Sequence, residues 1–293
     1  MSSVRRAETR AKTEEDDLED RNFGTSPYNT GSPVESADML FGRDQTLEEI
    51  RTQLPSEGRA NVILLEGNRR AGKTSILKRI QKADFLPNWI VAYCSLQSGE
   101  GAKEGTGVAT AEVFRILARS IGEQLIKEGI DIWLPGHTPP DPSRSLCPQF
   151  RLATQEVFSG PYPFETFENF LIECLDAVKP KRLLLCLDEF DKLQEGIDSG
   201  VTSSQVPENI RYLIHEYPDF AAILTGSRRL KRLREEYWSA LFGLGDRIGV
   251  SALSEEAAQE LVTRPVEGRL AYSPDSVTEI IRVTARQPFL IQS

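Results

Sequence analysis

The stretch that decides the fold is Asn61-Val62-Ile63-Leu64-Leu65-Glu66-Gly67-Asn68-Arg69-Arg70-Ala71-Gly72-Lys73-Thr74. Residues 61–66 are mostly apolar and predict a buried strand. Residues 67–74, called the glycine-rich loop below, fit the pattern G-x-x-x-x-G-K-[ST]. Apolar side chains at Ile76, Leu77 and Ile80 then predict a helix. Because glycine lets successive backbone N–H groups face one anion, and the helix adds its positive end, the stretch predicts a phosphate-binding site.

Most residues of the glycine-rich loop receive a predicted role. Lys73 is expected to reach the β- and γ-phosphates of a nucleotide and to take part in catalysis, and the Thr74 hydroxyl is expected to bind Mg²⁺. Arg69 and Arg70 leave three alternatives open: contact with phosphate, support of a neighbouring loop, and exposure to solvent. The predicted nucleotide-binding residues in this part of the chain are Gly67, Asn68, Arg69, Arg70, Ala71, Gly72, Lys73, Thr74 and Ser75.

A second predicted buried strand ends in two acids. Residues 182–187 are mostly apolar and lead into Asp188 and Glu189. A carboxylate at the end of such a strand is typical of the Walker B acid of nucleoside triphosphatases, so we predict that Asp188 binds Mg²⁺. Glu189 is the predicted general base that polarises an attacking water. An acid directly after the metal-binding residue favours hydrolysis over phosphoryl transfer to a small acceptor.

A third predicted strand, residues 220–225, is followed by Gly226, Ser227 and Arg228. Either Ser227 or Arg228 is placed to sense the γ-phosphate, and Arg228 joins Lys73 and Glu189 in the predicted catalytic set. Five of the seven residues from 228 to 234 are basic. A solvated helix start and contact with nucleic acid therefore stay open as alternatives.

Predicted strands, including a further one at residues 89–95, alternate with helices through residue 250, and most strands are apolar on both faces. This pattern predicts an α/β fold in which helices cover both faces of a parallel sheet. Beyond residue 253 only helices are predicted, one of them capped by Ser254 and another beginning at Ser273-Pro274. We expect a disordered leader at 1–25, an α/β domain at 26–252 with an irregular proline-rich insertion at about 131–163, and a small helical lid at 253–293 that continues in a longer protein.

Composition excludes several classes of protein. The 293 residues carry a net charge of −9, which disfavours bulk binding to nucleic acid or anionic membranes. The longest apolar run, residues 89–94, is far shorter than the roughly 20 residues of a membrane helix, and the N-terminus has no apolar signal segment. We therefore expect a cytoplasmic protein without a membrane partner. The four cysteines are too scattered to indicate a disulfide framework or a zinc site.

Together these motifs resemble a STAND-type P-loop ATPase of the AAA+ superfamily, in its bacterial form. The resemblance covers about residues 26–293. Besides the glycine-rich loop it rests on residues 26–34, 41–44, 187–190, 225–228, 253–257 and 284–292. It implies the strand order 5-1-4-3-2, a helical lid, and ATP or ADP held between lid and core. It also implies ATP rather than GTP, a place for Arg43 near the nucleotide, and a nucleotide contact by Pro288. The family usually carries glycine two residues before that proline, where this chain has Arg286.

Two hypotheses on function follow. The main one is a slowly hydrolysing, STAND-like molecular switch that couples nucleotide state to oligomerisation and serves signalling or defence. Such a switch self-associates in the ATP state and works with effector or sensor modules outside this chain. The alternative is a nucleic-acid-associated AAA+ ATPase, such as an origin-recognition-like loader or a transposition helper. A loop that only binds nucleotide is disfavoured by the intact Lys73, Thr74, Asp188 and Glu189, and a small-molecule kinase by a lid that follows the core.

Overall fold

The computed structural model describes residues 26–28, 33, 39–54, 62–99, 107–226 and 246–293. In these ranges a parallel sheet is flanked by helices and followed by a group of helices at the C-terminal end. The strands are β1 Val62–Gly67, β2 Trp89–Ser95, β3 Arg182–Asp188, β4 Phe220–Gly226 and β5 Asp246–Val250. The helices are α1 Asp44–Gln53, α2 Lys73–Ile80, α3 Thr110–Lys127, α4 Leu146–Val157, α5 Pro163–Val178, α6 Asp191–Asp198, α7 Val206–Glu216, α8 Glu255–Thr263, α9 Pro274–Val283 and α10 Pro288–Ile291.

The strand order of the sheet is β2-β3-β4-β1-β5, with parallel pairing between all neighbours. This confirms the order implied by the resemblance. Strands β3, β4 and β1 lie side by side, so their carboxyl ends share one edge of the sheet. The glycine-rich loop follows β1 at that edge, and Asp188 ends β3 there. The topology alone therefore brings the two predicted motifs together.

The central strands are buried on both faces, which explains their unbroken apolar sequences. Every residue of β4 is buried, as are all residues of β3 except the first. Alternate side chains of β1 enter two different cores. Val62 and Leu64 pack with helices α3, α5 and α7 on one face, while Ile63 and Leu65 pack with α1 and α2 on the other.

The structure corrects the prediction of an irregular insertion at about 131–163. Residues 146–157 form the helix α4, which packs on the core through Phe150 and Ala153. Pro148 misled the sequence analysis, yet it lies in the first turn, where the missing N–H of a proline breaks no helical hydrogen bond. Likewise Pro163 begins α5 rather than interrupting a helix.

The C-terminal helices, called the lid below, have a hydrophobic core of their own. Their predicted starts are confirmed: the Ser254 hydroxyl accepts a hydrogen bond from the Ala257 N–H (3.1 Å), and the Ser273 hydroxyl accepts one from the Ser276 N–H (3.2 Å). Phe41, from far upstream, is also part of this core. The lid therefore packs on the segment that leads into α1. The lid core consists of Phe41, Leu253, Ala257, Ala258, Leu261, Val262, Val277 and Ile291.

None of the helices within the described ranges combines the length and the apolar character that crossing a lipid bilayer requires.

Candidate functional site

The glycine-rich loop owes its shape to two glycines with different roles. Gly67 pairs with Val250 of β5, and a Cβ on Gly67 would lie 2.5 Å from the Val250 carbonyl oxygen. Gly72 caps α2 in the left-handed region, with a φ of +92°. Arg70 is also left-handed, with a φ of +67°. The chain therefore turns sharply between β1 and α2, as binding an anion at a helix N-terminus requires.

Lys73 folds back over the loop. Its Nζ donates to the carbonyl oxygens of Gly67 (3.0 Å) and Asn68 (2.9 Å). Burial lowers the pKa of Lys73, while the carboxylates of Asp188, Asp191 and Glu189 act in the opposite direction. The ammonium group therefore lies between the loop and the acids that end β3, where negative charge on a bound phosphate would be neutralised.

Asp188 is the centre of the site. It is only 4% exposed, and its carboxylate accepts hydrogen bonds on both oxygens. Oδ2 accepts from the Thr74 hydroxyl (2.6 Å) and the Tyr93 hydroxyl (3.1 Å). Oδ1 accepts from the backbone N–H of Glu189 (3.0 Å) and from the Thr225 hydroxyl. Groups from α2, β2 and β4 thus converge on one buried carboxylate.

The predicted Mg²⁺ ligands lie in contact, since the Thr74 hydroxyl donates to Asp188. Mg²⁺ prefers oxygen ligands and typically uses only one or two carboxylates, keeping several waters. A hydroxyl and a carboxylate brought together at the N-terminus of α2, next to Lys73, satisfy this chemistry. The residues present therefore fit a magnesium ion bound together with a nucleotide.

Glu189 lies beside Asp188 in a left-handed conformation, with a φ of +55°. The side-chain amide of Gln97 donates to Glu189 Oε2 (2.5 Å). Burial raises the pKa of Glu189, as do the neighbouring carboxylates of Asp188 and Asp191, whereas the Gln97 hydrogen bond lowers it. A half-buried carboxylate with a raised pKa, next to the predicted metal ligands, is suited to act as a general base.

Arg43 ties the loop to the rest of the fold. It is 5% exposed, and its Nη2 donates to the carbonyl oxygens of Ala71 and Ser251, both at 2.9 Å. The structure thus places Arg43 against the backbone of the glycine-rich loop. Pro288 begins α10 of the lid, and the ring of the next residue, Phe289, lies 3.9 Å from the Arg70 guanidinium.

The structure shows less about the remaining predicted residues. Arg228 and Ser227 lie outside the described residues. Asn68 and Arg69 are exposed, and Ser75 is buried in α2.

The sequence motifs assign no role to three residues that contact Asp188 or Glu189: Thr225, Tyr93 and Gln97. For Thr225 a signal existed, because it ends the apolar run of β4, the strand next to β3. Tyr93 and Gln97 carry no comparable signal. They reach the acids because β2 pairs with β3, and no short motif encodes that pairing.

Comparison with known proteins gives matches among solved structures. No protein-family model and no curated protein sequence matches the chain. The ADP form of the Aeropyrum pernix ORC2 protein has a TM-score of 0.53 at 14% identity, over 91% of this chain and 63% of that one. The predicted α/β fold of a P-loop protein, a parallel sheet flanked by helices, is confirmed.

Two further solved structures are similar at lower TM-scores. Cdc6p from Pyrobaculum aerophilum has a TM-score of 0.48 at 14% identity, over 91% of this chain and 62% of that one. The Aeropyrum pernix ORC1 protein, solved in complex with DNA, has a TM-score of 0.47 at 16% identity, over 89% of this chain and 59% of that one. This chain thus spans less than two thirds of the length of each. The match to the ORC2 structure agrees with the fold that the resemblance implies and lends no support to its STAND-type or bacterial part.

Proposed function

We propose that this protein binds ATP with Mg²⁺ and hydrolyses it. The observation that carries the proposal is the contact between the glycine-rich loop and the acids that end β3: Thr74 donates to the buried Asp188 at 2.6 Å. Two motifs 114 residues apart in the chain meet there with the groups that nucleotide hydrolysis needs.

Each group at the site has a defined part in this function. The backbone of the glycine-rich loop and the Lys73 ammonium bind the phosphates, and Thr74 with Asp188 holds Mg²⁺. When bound, Mg²⁺ would neutralise negative charge on the phosphates. Glu189 orients a water and accepts its proton, and Gln97 fixes the Glu189 carboxylate until then. Thr225 and Tyr93 keep the Asp188 carboxylate in one orientation.

A substitution of Lys73 tests the binding site. We expect Lys73→Ala to abolish ATP binding measured by titration calorimetry, because the ammonium group lies between the loop and the acids that end β3, where the phosphates would bind. Lys127→Ala, at the exposed end of α3, is the matched control and should bind as the wild type does. Unchanged ATP affinity in Lys73→Ala would refute the assignment of the site.

A substitution of Glu189 tests hydrolysis. We expect Glu189→Gln to retain ATP binding and to hydrolyse ATP about 10²–10⁴-fold more slowly, the usual effect of removing a general base. Asp191→Asn is the control, since Asp191 is the neighbouring acid at the start of α6. Wild-type turnover in Glu189→Gln, with loss of turnover in Asp191→Asn, would assign the base to Asp191.

Two processes are candidates for what ATP hydrolysis drives in this protein. The match to an ORC protein supports the nucleic-acid-associated ATPase, whereas the STAND-like switch rests on the sequence resemblance alone. We therefore favour the nucleic-acid-associated function, despite the net charge of −9. ATP-dependent binding of duplex DNA, followed by fluorescence anisotropy over a series of salt concentrations, is the expected result. ATP-dependent self-association by light scattering, without DNA binding and with ADP retained in the purified protein, would instead favour the switch.

A further inference from the structure

One side chain of the glycine-rich loop contacts the lid and has no part in the proposed chemistry. The guanidinium of Arg70 lies over the ring of Phe289, with 3.9 Å from its central carbon to the ring centroid. Arg70 belongs to the loop between β1 and α2, and Phe289 is the second residue of α10. The contact therefore joins the part of the site that surrounds phosphate to the last helix of the lid.

The backbone at both ends of this contact is held in an unusual conformation. Arg70 is left-handed, with a φ of +67°, a region that residues other than glycine seldom adopt without a compensating interaction. On the lid side, Ala285 and Arg286 are left-handed too, with φ values of +47° and +59°. The carbonyl of Arg286 accepts a hydrogen bond from the Leu253 N–H (3.0 Å), which anchors the turn before α10 to the start of the lid. Both partners are thus presented by constrained turns.

The interaction itself is attractive. A guanidinium above the face of an aromatic ring is favoured electrostatically, and the energy increases as water is excluded. Phe289 is half-buried, so its ring already lies in a partly dry environment. Arg43 also contacts this loop, because its guanidinium donates to the Ala71 carbonyl oxygen. Two side chains therefore hold the loop: Arg43 links it to Ser251, the residue after β5, and Arg70 links it to the lid.

We propose that Arg70 is a positioning residue that, by stacking on Phe289, holds the lid against the glycine-rich loop and slows nucleotide release. The inference rests on the proposed function, because release is defined only for a protein that binds nucleotide. It also selects among the three alternatives that the sequence left for Arg70: the side chain supports a neighbouring element. Arg69, the adjacent arginine, has no part in the proposal.

The test measures release of a fluorescent ADP analogue by stopped-flow chase. We expect Arg70→Gly and Phe289→Leu each to release the analogue roughly 3- to 10-fold faster, the range set by the strength of such contacts. Arg70→Gly keeps the left-handed backbone accessible, so its effect reports the side chain. Phe289→Tyr retains the aromatic face and should restore slow release. Arg144→Gly, with the same change of charge at an exposed position outside the loop and the lid, is the control and should release at the wild-type rate.

Non-additivity is the decisive feature of the proposal. The double variant Arg70→Gly with Phe289→Leu should release the analogue no faster than either single variant, because each substitution removes the same contact. Multiplication of the two single effects would overturn the proposal. So would wild-type release from Phe289→Leu, and this outcome would leave nucleotide binding intact as a function.

A second readout needs no nucleotide. Amide hydrogen exchange at residues 288–293 should be faster in Phe289→Leu and Arg70→Gly than in the wild type, and Phe289→Tyr should restore protection. If the wild-type protein bound no ADP at all, the proposed function would fail, while exchange would still test whether the stacking holds the lid. Equal exchange in the wild type and Phe289→Leu would overturn the inference.

Discussion

At the scale of single residues, the site is organised by one buried carboxylate. Asp188 is almost excluded from water, and hydrogen-bond donors on both of its oxygens compensate for this burial. The sequence identified Asp188 and Thr74 by motif. It did not identify Tyr93 or Thr225, because their contacts depend on how distant strands pair and no local pattern records that pairing.

Loss of the Thr225 hydroxyl should weaken this site. We expect Thr225→Val to lower the free energy of unfolding by about 1–3 kcal/mol, because Asp188 Oδ1 would lose a donor in a buried position. Thr225→Ser keeps the hydroxyl and should recover most of that loss. Urea unfolding followed by circular dichroism measures both. Equal stability of Thr225→Val and the wild type would show that the hydrogen bond contributes nothing net.

The thiols give a second prediction at this scale. Cys94, Cys174 and Cys186 are buried, whereas Cys147 on α4 is partly exposed. Burial raises the pKa of Cys94 to about 12 and raises the pKa values of Cys174 and Cys186 as well. At pH 8 these three thiols therefore stay protonated, and only thiolates react with alkylating reagents.

Brief treatment of the native protein with iodoacetamide at pH 8 should thus give a single adduct, at Cys147. Mass spectrometry of the intact protein and of its peptides measures this. Cys147→Ser should remain unmodified until denaturant is added. Rapid modification of Cys94 in the native state would contradict its burial in the core on one face of the sheet.

At the scale of elements, the β1–loop–α2 unit depends on close approach at Gly67 and on backbone freedom at Gly72. A Cβ at Gly67 would overlap the Val250 carbonyl oxygen, so β1 and β5 would have to separate. Around Gly72 the space is open, and only its φ of +92° restricts the residue type.

These two glycines should therefore respond differently to substitution. Gly67→Ala should destabilise the fold by about 1–3 kcal/mol, a typical cost of overpacking. Gly72→Asn should cost less, because asparagine tolerates the left-handed region better than other residues with a side chain. Urea midpoints compare the two variants. A larger loss of stability in Gly72→Asn would mean that backbone strain outweighs the strand contact.

Elements buried on both faces were the most predictable from sequence. β2, at Trp89–Ser95, is predicted with the bounds that the structure shows, because an unbroken apolar run of that length is typical of a buried strand. Two helices were missed. α4 was hidden by Pro148, and α6 has only Leu193 and Gly196 among its buried residues, so its apolar pattern is too sparse to recognise. Apolar patterns in the sequence therefore predict buried strands well and predict short, partly exposed helices poorly.

At the scale of the whole molecule, the described residues form two cores against the sheet and a third inside the lid. The third core is small and is completed by Phe41, which lies next to Gly42 in the segment before α1. Gly42 is left-handed, and a Cβ there would overlap the Ala257 side chain of α8. The lid is therefore fitted closely to this segment.

This arrangement predicts that the lid opens without unfolding the sheet. Phe41→Ala should lower the free energy of lid opening by about 3 kcal/mol, the lower end for a buried phenylalanine, and speed amide exchange in α8 about a hundredfold. Amides of β3 and β4 should keep wild-type exchange rates, because their neighbours are unchanged. Exchange followed by mass spectrometry separates the two regions. Acceleration of β4 by the same factor as α8 would instead mean that lid and sheet unfold as one cooperative unit, in which case nucleotide release by lid opening alone would be excluded.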